Sequence, residues 1–343
     1  MEGIFAGMWV AAGRAEELAE AGAFVRRQLV DADVLIVRDG AGGLRAFHNV
    51  CRHRGTALCT ETQGRLAGSI QCPYHAWTYG LDGRLLAAPM MDEVEGFERA
   101  AHGLGPVGCA EWDGHVFLNL ADAPAPLDLQ LRDLPSRFAP WRMGELRRVH
   151  QVVYDVAANW KLIVQNYNEC LHCPVIHPML NRMHHYLGAE NVPSTDAYCG
   201  GAMGFRDGVE TLSTDGRRRR EWLPGLGARE RALVSYFVVY PNLLLTLHPD
   251  YMTTVTIWPQ AVDRTRLVCE WHFHPGEISR ADFVYLDAVE FWDRTNREDW
   301  AISERAQHGI SSRGYRPGPY SMREGQLWEF DRWLLARMNR EAP

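Results

Sequence analysis

The sequence predicts an α+β protein of two domains, and three observations predict it. Residues up to 120 read as short strands punctuated by turn signals. A stretch rich in Pro, Asp and Ala at 121–128 then interrupts the pattern. Beyond it, helical segments flank a run of strands, an order that argues for an antiparallel sheet rather than alternating βαβ units. We place an all-β domain at 1–125 and an α+β domain at 126–343. With 343 residues and 46% hydrophobic content, both can bury a core without staples.

In chain order, the apolar run at 34–37 leads into Asp39-Gly40-Ala41-Gly42-Gly43 and strand character resumes at 44–47, which reads as a hairpin. The same logic joins 77–79 to 85–86 through Asp82-Gly83. In the second domain, 154–169 reads as a helix. Segments 234–240, 243–248, 252–258 and 266–273 are rich in β-branched and aromatic residues and read as strands, and 282–307 reads as a second helix.

Composition narrows the function. A formal charge of -7 and a pI near 6.1 provide no broad basic field for nucleic acid or anionic lipid, and the longest apolar runs fall far short of a membrane span. The segment from Met1 to Trp9 lacks the pattern of a signal peptide, so the cytoplasm is the expected location. In that reducing compartment, eight unevenly clustered cysteines with nearby histidines suggest metal rather than disulfides. The run Arg217-Arg218-Arg219-Arg220 reads as a solvated loop, with docking of an acidic electron donor as its functional alternative.

The first constellation is Cys51-Arg52-His53 and Cys72-Pro73-Tyr74-His75, with residues 54–71 between the halves. Two loops can converge to present two thiolates and two imidazoles. A structural zinc site accepts that set, but common zinc fingers place both Cys in one half and both His in the other. A Rieske [2Fe–2S] centre uses two Cys on one iron and two His on the other, and the interleaved order favours it. In its full context, Cys51-Arg52-His53-Arg54-Gly55 with Cys72-Pro73-Tyr74-His75-Ala76-Trp77 resembles the Rieske domain of ring-hydroxylating oxygenases. Trp112-Asp113-Gly114-His115 and the strand after it resemble the element that closes that domain.

The second constellation lies in the segment from Asn159 to Pro178, where His172 and His177 stand five apart. On an ideal helix that spacing turns them about 140° from each other. Pro174 between them can end or distort the helix and let both face one metal. The segment is similar to the iron-binding stretch of Rieske oxygenase catalytic domains, where two His and one carboxylate leave positions open on Fe(II) for O₂. The resemblance implies His172 and His177 as ligands. It also implies Asp299 as the carboxylate among Asp293, Glu298, Asp299 and Glu304, with Glu298 next in line. Glu169 is implied as the bridge for electron transfer between subunits, an acid that joins His172 to a Rieske histidine, His75, across the interface of a homotrimer.

The resemblance covers nearly the whole chain and implies a helix-grip-like catalytic domain and the activity of a terminal oxygenase. Electrons pass from NAD(P)H through a separate flavin or iron–sulfur reductase, with or without a ferredoxin, to the cluster and then to Fe(II), which activates O₂. Glu-Cys-x-His-Cys at 169–173 and Tyr315-Arg316-Pro317-Gly318-Pro319-Tyr320-Ser321 look like the oxygenases that act on betaines and related quaternary ammonium compounds. N-demethylation of such a small molecule is the leading expectation. Hydroxylation of an aromatic ring or side chain is the alternative of the same class, and a non-enzymatic Rieske electron carrier the alternative of another. A quaternary ammonium calls for an aromatic cage, and Tyr236, Tyr251, Trp258 and Trp271, with Phe237, Tyr240 and Phe273, lie on the strands expected to line the pocket. Gln165 and Leu171 depart from the residues many relatives carry and are expected beside the iron.

Overall fold

The computed structural model describes residues 2–338. Met1 and residues 339–343, the outer ends of the two expected domains, lie outside the described residues. The chain divides into two units, Met1–Leu129 and Gln130–Pro343.

The first unit contains β1 (Val10–Arg14), β2 (Ala23–Leu29), β3 (Ala32–Arg38), β4 (Leu44–His48), β5 (Gln63–Arg65), β6 (Ser69–Gln71), β7 (Thr78–Gly80), β8 (Leu85–Ala87), β9 (Pro106–Trp112) and β10 (His115–Asn119). Seven of them form a sheet in the order β1-β10-β9-β4-β3-β2-β5, and β6, β7 and β8 form a second. Turn chemistry sets the hairpins. Asp39 accepts from the Ala41 and Gly43 N–H groups at 2.9 and 2.7 Å, closing the link from β3 to β4. Asp113 and Gly114 both take positive φ, 43° and 80°, the two-residue turn whose twist matches paired strands. The core joins Leu35, Val37, Phe47, Ile70, Trp77 and Tyr79 to Cys51 and Cys72.

The second unit is built on β11 (Arg147–Val156), β12 (His184–Asn191), β13 (Tyr198–Phe205), β14 (Leu233–Val239), β15 (Leu243–Leu247), β16 (Met252–Ala261) and β17 (Arg264–Phe273). All pair antiparallel, in the order β11-β17-β16-β15-β14-β13-β12. Four helices matter for the site: α1 (Trp160–Tyr167), α2 (Cys173–Ile176), α3 (Leu286–Ile310) and α4 (Gly325–Met338).

The helix expected at 154–169 is shorter than the sequence suggests. Residues 152–156, Val-Val-Tyr-Asp-Val, alternate in burial at their end and pair with β17, so they extend β11 instead. Asn159 then caps α1, its side chain accepting from the Lys161 N–H at 3.0 Å. The second helix begins and ends a few residues later than expected, at Leu286 and Ile310. Its buried residues Ala288, Phe291, Trp292, Thr295, Asn296, Trp300 and Ser303 recur at helical spacing and form one face. That face packs on the sheet: Trp271 donates to the Ala288 carbonyl at 3.3 Å, and the Tyr154 hydroxyl to Asp293 at 2.7 Å.

The arginine run is not a solvated loop throughout. Arg220 is fully buried, donating to Asp250 at 3.0 Å and Asp287 at 2.6 Å, while Arg219 pairs with Asp215 at 2.7 Å. Two carboxylates drawn from distant segments make Arg220 a tie within the fold rather than a docking group. Among the described residues, no helix is long and apolar enough to cross a membrane.

Candidate metal centres and substrate cavity

In the first unit, two loops carry the four predicted ligands. The Gly55 N–H donates to the Cys51 carbonyl and the Ala76 N–H to the Cys72 carbonyl, so each loop closes on itself as a tight turn. Cys51 and Cys72 are 2% and 3% exposed, whereas His53 and His75 face outward, their rings 4.7 Å apart edge to face. Trp77 stacks on His53 at 4.8 Å, and the Tyr79 hydroxyl lies 3.3 Å from Cys51 Sγ. Buried sulfurs and outward imidazoles suit a cluster whose histidine-bound iron meets an electron partner.

In the second unit, α1 ends at Tyr167. Glu169 then turns the chain by accepting from the backbone N–H groups of Leu171 and His172. The helix therefore breaks at 168–172, ahead of Pro174, which sits in the first turn of α2 where it needs no N–H partner. His177 follows at the end of α2 with φ -118° and ψ 71°. The break overcomes the angular mismatch between the two imidazoles: their Nε2 atoms lie 3.2 Å apart. Asp299, on the buried face of α3 one turn beyond Thr295, places Oδ1 2.8 Å from His177 Nε2 and 3.3 Å from His172 Nε2.

These three residues can hold one metal ion, each offering one ligand atom within 4.8 Å of the others. Each ring is also held from behind, His172 Nδ1 by Glu169 at 2.5 Å and His177 Nδ1 by Glu298 at 2.9 Å. Of the other acidic candidates, Asp293 bonds to Tyr154 and Arg297, and Glu304 accepts from the Ala157 N–H.

The electrostatics favour a cation. Burial alone pulls His172 down, but hydrogen bonds to Asp299 and Glu169 outweigh it and lift its pKa to about 9. His177 shifts upward by the same balance, through Asp299 and Glu298. Burial raises Asp299, yet the two imidazoles hold it below the ordinary carboxylate range. A donor set that holds protons this firmly suits a divalent ion in their place.

Cys170 and Cys173, on either side of His172, form a disulfide with Cα atoms 5.0 Å apart, so the expectation of metal rather than disulfides fails for this pair, while Cys51 and Cys72 are free thiols. The turn into α2 brings Cys-x-x-Cys within bridging range.

A cavity opens beside the site, lined by Tyr167, Glu169, His172, His177, Tyr236, Trp292 and Asp299 among others. Of the four expected pocket residues only Tyr236 lines it. Trp271 and Tyr251 are core, with no exposed surface: Trp271 bonds to α3 and the Tyr251 hydroxyl to the Leu212 carbonyl. Trp258 lies on β16 away from the lining, and Phe237, Tyr240 and Phe273 are buried without lining it. A strand presents only alternate residues to one face, so sharing the sheet did not suffice. Gln165 bonds to Asp331 of α4 and the Tyr320 hydroxyl, and neither it nor Leu171 lines the cavity. The residues missed are Tyr167 and Trp292. Trp292 stands seven before Asp299, two turns along the same helix face, which was a usable signal.

Behind Tyr236 lies His184, buried and neutral. Its burial pushes the pKa down to about 4, and Nδ1 donates to the Gly204 carbonyl at 2.8 Å. A folded pKa below the unfolded value makes this contribution to stability present above pH 6.5 and lost as pH falls toward 4. We expect His184→Gln to recover about 2 kcal/mol of the stability lost between pH 7.5 and 5, read from urea midpoints. An acid loss identical to wild type would count against it.

Taken together, the fold and the two donor sets define a redox protein with a cluster domain and a catalytic domain. Residues 143–340 match the family model for the ring hydroxylating alpha subunit (catalytic domain), and residues 8–98 match that for the Rieske [2Fe-2S] domain. The chain belongs to the ring-hydroxylating oxygenase alpha-subunit family and is a Rieske-type oxygenase. It is 32% identical to the glycine betaine monooxygenase oxygenase subunit of Chromohalobacter salexigens, over all of this chain and 84% of that one. It is 28% identical to the carnitine monooxygenase oxygenase subunit of Acinetobacter pittii, over 92% of this chain and 82% of that one. Its structure is similar to that of the quaternary ammonium Rieske monooxygenase CntA in complex with substrate L-carnitine, with a TM-score of 0.80, 26% identity, and coverage of 98% of this chain and 90% of that one. Oxygenases of this type carry a [2Fe–2S] cluster and non-haem iron, use O₂ and act on small substrates. They need a reductase partner to deliver electrons from NAD(P)H.

Proposed function

We propose that this chain is the terminal oxygenase of an N-demethylase for a small quaternary ammonium compound. One N-methyl group is hydroxylated, O₂ supplying that oxygen and, with two electrons and two protons, one water; the carbinol then releases formaldehyde and leaves a tertiary amine. Cys51, Cys72, His53 and His75 hold the cluster, and His172, His177 and Asp299 hold the iron, which supplies O₂ activation when bound. Glu169 bridges His172 to a Rieske histidine, His75, of a neighbouring subunit in a trimer, so that electrons pass from cluster to iron across this hydrogen-bonded link.

One observation carries the substrate class. A quaternary nitrogen offers neither N–H nor lone pair, so its site needs ring faces and negative charge rather than hydrogen-bond partners. The three aromatic side chains of the cavity have their polar atoms turned into the protein. The Tyr167 hydroxyl donates to the Leu245 carbonyl at 3.1 Å. The Tyr236 hydroxyl lies 3.1 Å from His184 Nε2, which must accept because Nδ1 carries the proton. Trp292 donates to His248 Nε2 at 3.0 Å. Neighbouring rings are 6.2 and 6.3 Å apart, and the Glu169 carboxylate lies in the same lining.

Tyr236→Leu should therefore raise KM for a quaternary ammonium substrate by about 2- to 30-fold, the equivalent of about 0.5–2 kcal/mol, whereas Tyr236→Phe should leave it nearly unchanged. Equal losses in both variants would mean that the hydroxyl serves the substrate. The reading as a whole is tested with a surrogate reductase and a panel of glycine betaine, carnitine, choline and aromatic acids. Formaldehyde release from a quaternary ammonium supports it, and turnover of arenes alone sinks it.

A further inference from the structure

Resting on the iron site proposed above, we infer that Glu298 is a positioning residue for His177, setting the affinity of the mononuclear site without itself ligating metal. Glu298 and Asp299 are consecutive residues of α3, so their side chains leave the helix about 100° apart. The imidazole of His177, 1% exposed, lies between them: Glu298 Oε2 stands 2.9 Å from Nδ1 and Asp299 Oδ1 2.8 Å from Nε2. One stretch of a rigid 25-residue helix thus supplies both a donor atom and the group that aims another donor at the same point.

When Nε2 binds metal it carries no proton, so the proton of a neutral His177 sits on Nδ1, where Glu298 is placed to accept it. Glu298 is itself held. Its other oxygen, Oε1, accepts from Arg294 Nε at 3.1 Å, one turn earlier on the same helix. Both carboxylate oxygens therefore have partners, one of them on the ring nitrogen turned away from Asp299 and His172. Glu169 plays the matching part behind His172, but it does so from a loop and with its second oxygen on backbone N–H groups. Carboxylates that orient a ligating imidazole and raise its basicity contribute about 10- to 100-fold to metal affinity.

The test uses the full chain with its cluster loaded and its mononuclear iron removed, titrated anaerobically with Fe(II) against a competing ferrous chelator. Iron beyond that of the cluster is measured per chain, and cluster absorbance serves as the internal control. Glu298→Ala and the near-isosteric Glu298→Leu should weaken Fe(II) binding about 10- to 100-fold. Glu298→Gln, whose amide oxygen still accepts from Nδ1, should return most of it, which a merely structural role does not predict. Wild-type affinity in the Ala and Leu variants overturns the inference, as does a Gln variant as weak as Ala. Asp299→Ala separates this failure from that of the iron site: if it binds Fe(II) like wild type, the ligand assignment falls, and the inference with it.

Discussion

Asp299→Ala is expected to abolish oxygenation, strip one iron from each chain, and leave the cluster spectrum untouched. Among the described residues, Asp299 is the one carboxylate that reaches both imidazole Nε2 atoms. It is half-buried on the inner face of α3, and the two histidines hold its pKa below the ordinary carboxylate range against the cost of that burial. Removing it leaves two imidazoles that share one side of the site and no negative charge to offset a divalent ion. Even outer partners of ligating groups cost about 10- to 100-fold, so turnover should fall by at least about a hundredfold. Asp299→Asn, which keeps the shape and loses the charge, should also fail to retain iron. Iron quantitation beside the visible spectrum decides the matter. Loss of the cluster, or turnover near wild type, would show that the ligands have been assigned wrongly.

Arg220→Ala is expected to produce the largest loss of stability. Its guanidinium has no solvent exposure and bonds to Asp250 and Asp287, while the Thr211 hydroxyl bonds to Asp250 at 2.6 Å. Tyr251 and Phe273 lie 5.3 and 5.5 Å beneath it. Removing one member of a buried charge network strands the others, at a cost of about 3–5 kcal/mol. That is a large part of the roughly 5–15 kcal/mol that holds a folded domain. Burial already raises the pKa of Asp250 even with Arg220 beside it. Without Arg220 it rises further, the folded state binds more protons than the unfolded one, and stability falls as pH rises. The deficit against wild type in urea unfolding should therefore be smaller at pH 5.5 than at pH 8. A deficit independent of pH would assign the cost to lost packing instead.

Much of the architecture was legible because local chemistry dictates it. Asp39 with Gly42 announces one hairpin and Asp82 with Gly83 another: each aspartate accepts from backbone N–H groups of its turn, and each glycine takes a positive φ, 83° and 85°. The β-branched runs of the second unit read as strands and are strands. The misreading at 154–156 has a physical cause. A short apolar alternation beside a helix resembles part of that helix, and only pairing with β17, more than a hundred residues away, holds it extended.

The site divides along the same line. By itself, the sequence determined the donor types, their spacing and the family, since Cys-x-His with Cys-x-x-His, and Glu-x-x-His with a second His five residues on, are local patterns set by how ligands reach a metal. The resemblance had put Asp299 ahead of Glu298, and the tertiary structure decided how each is used: Asp299 faces the two imidazoles while Glu298 stands behind one of them. It also decided that Tyr167, Tyr236 and Trp292 form the cavity wall while Tyr251 and Trp271 are core, and that Arg220 is a buried tie. Each of these outcomes depends on which face of a helix or strand meets a partner distant in the chain, and that contact is made only when the sheet and α3 pack together.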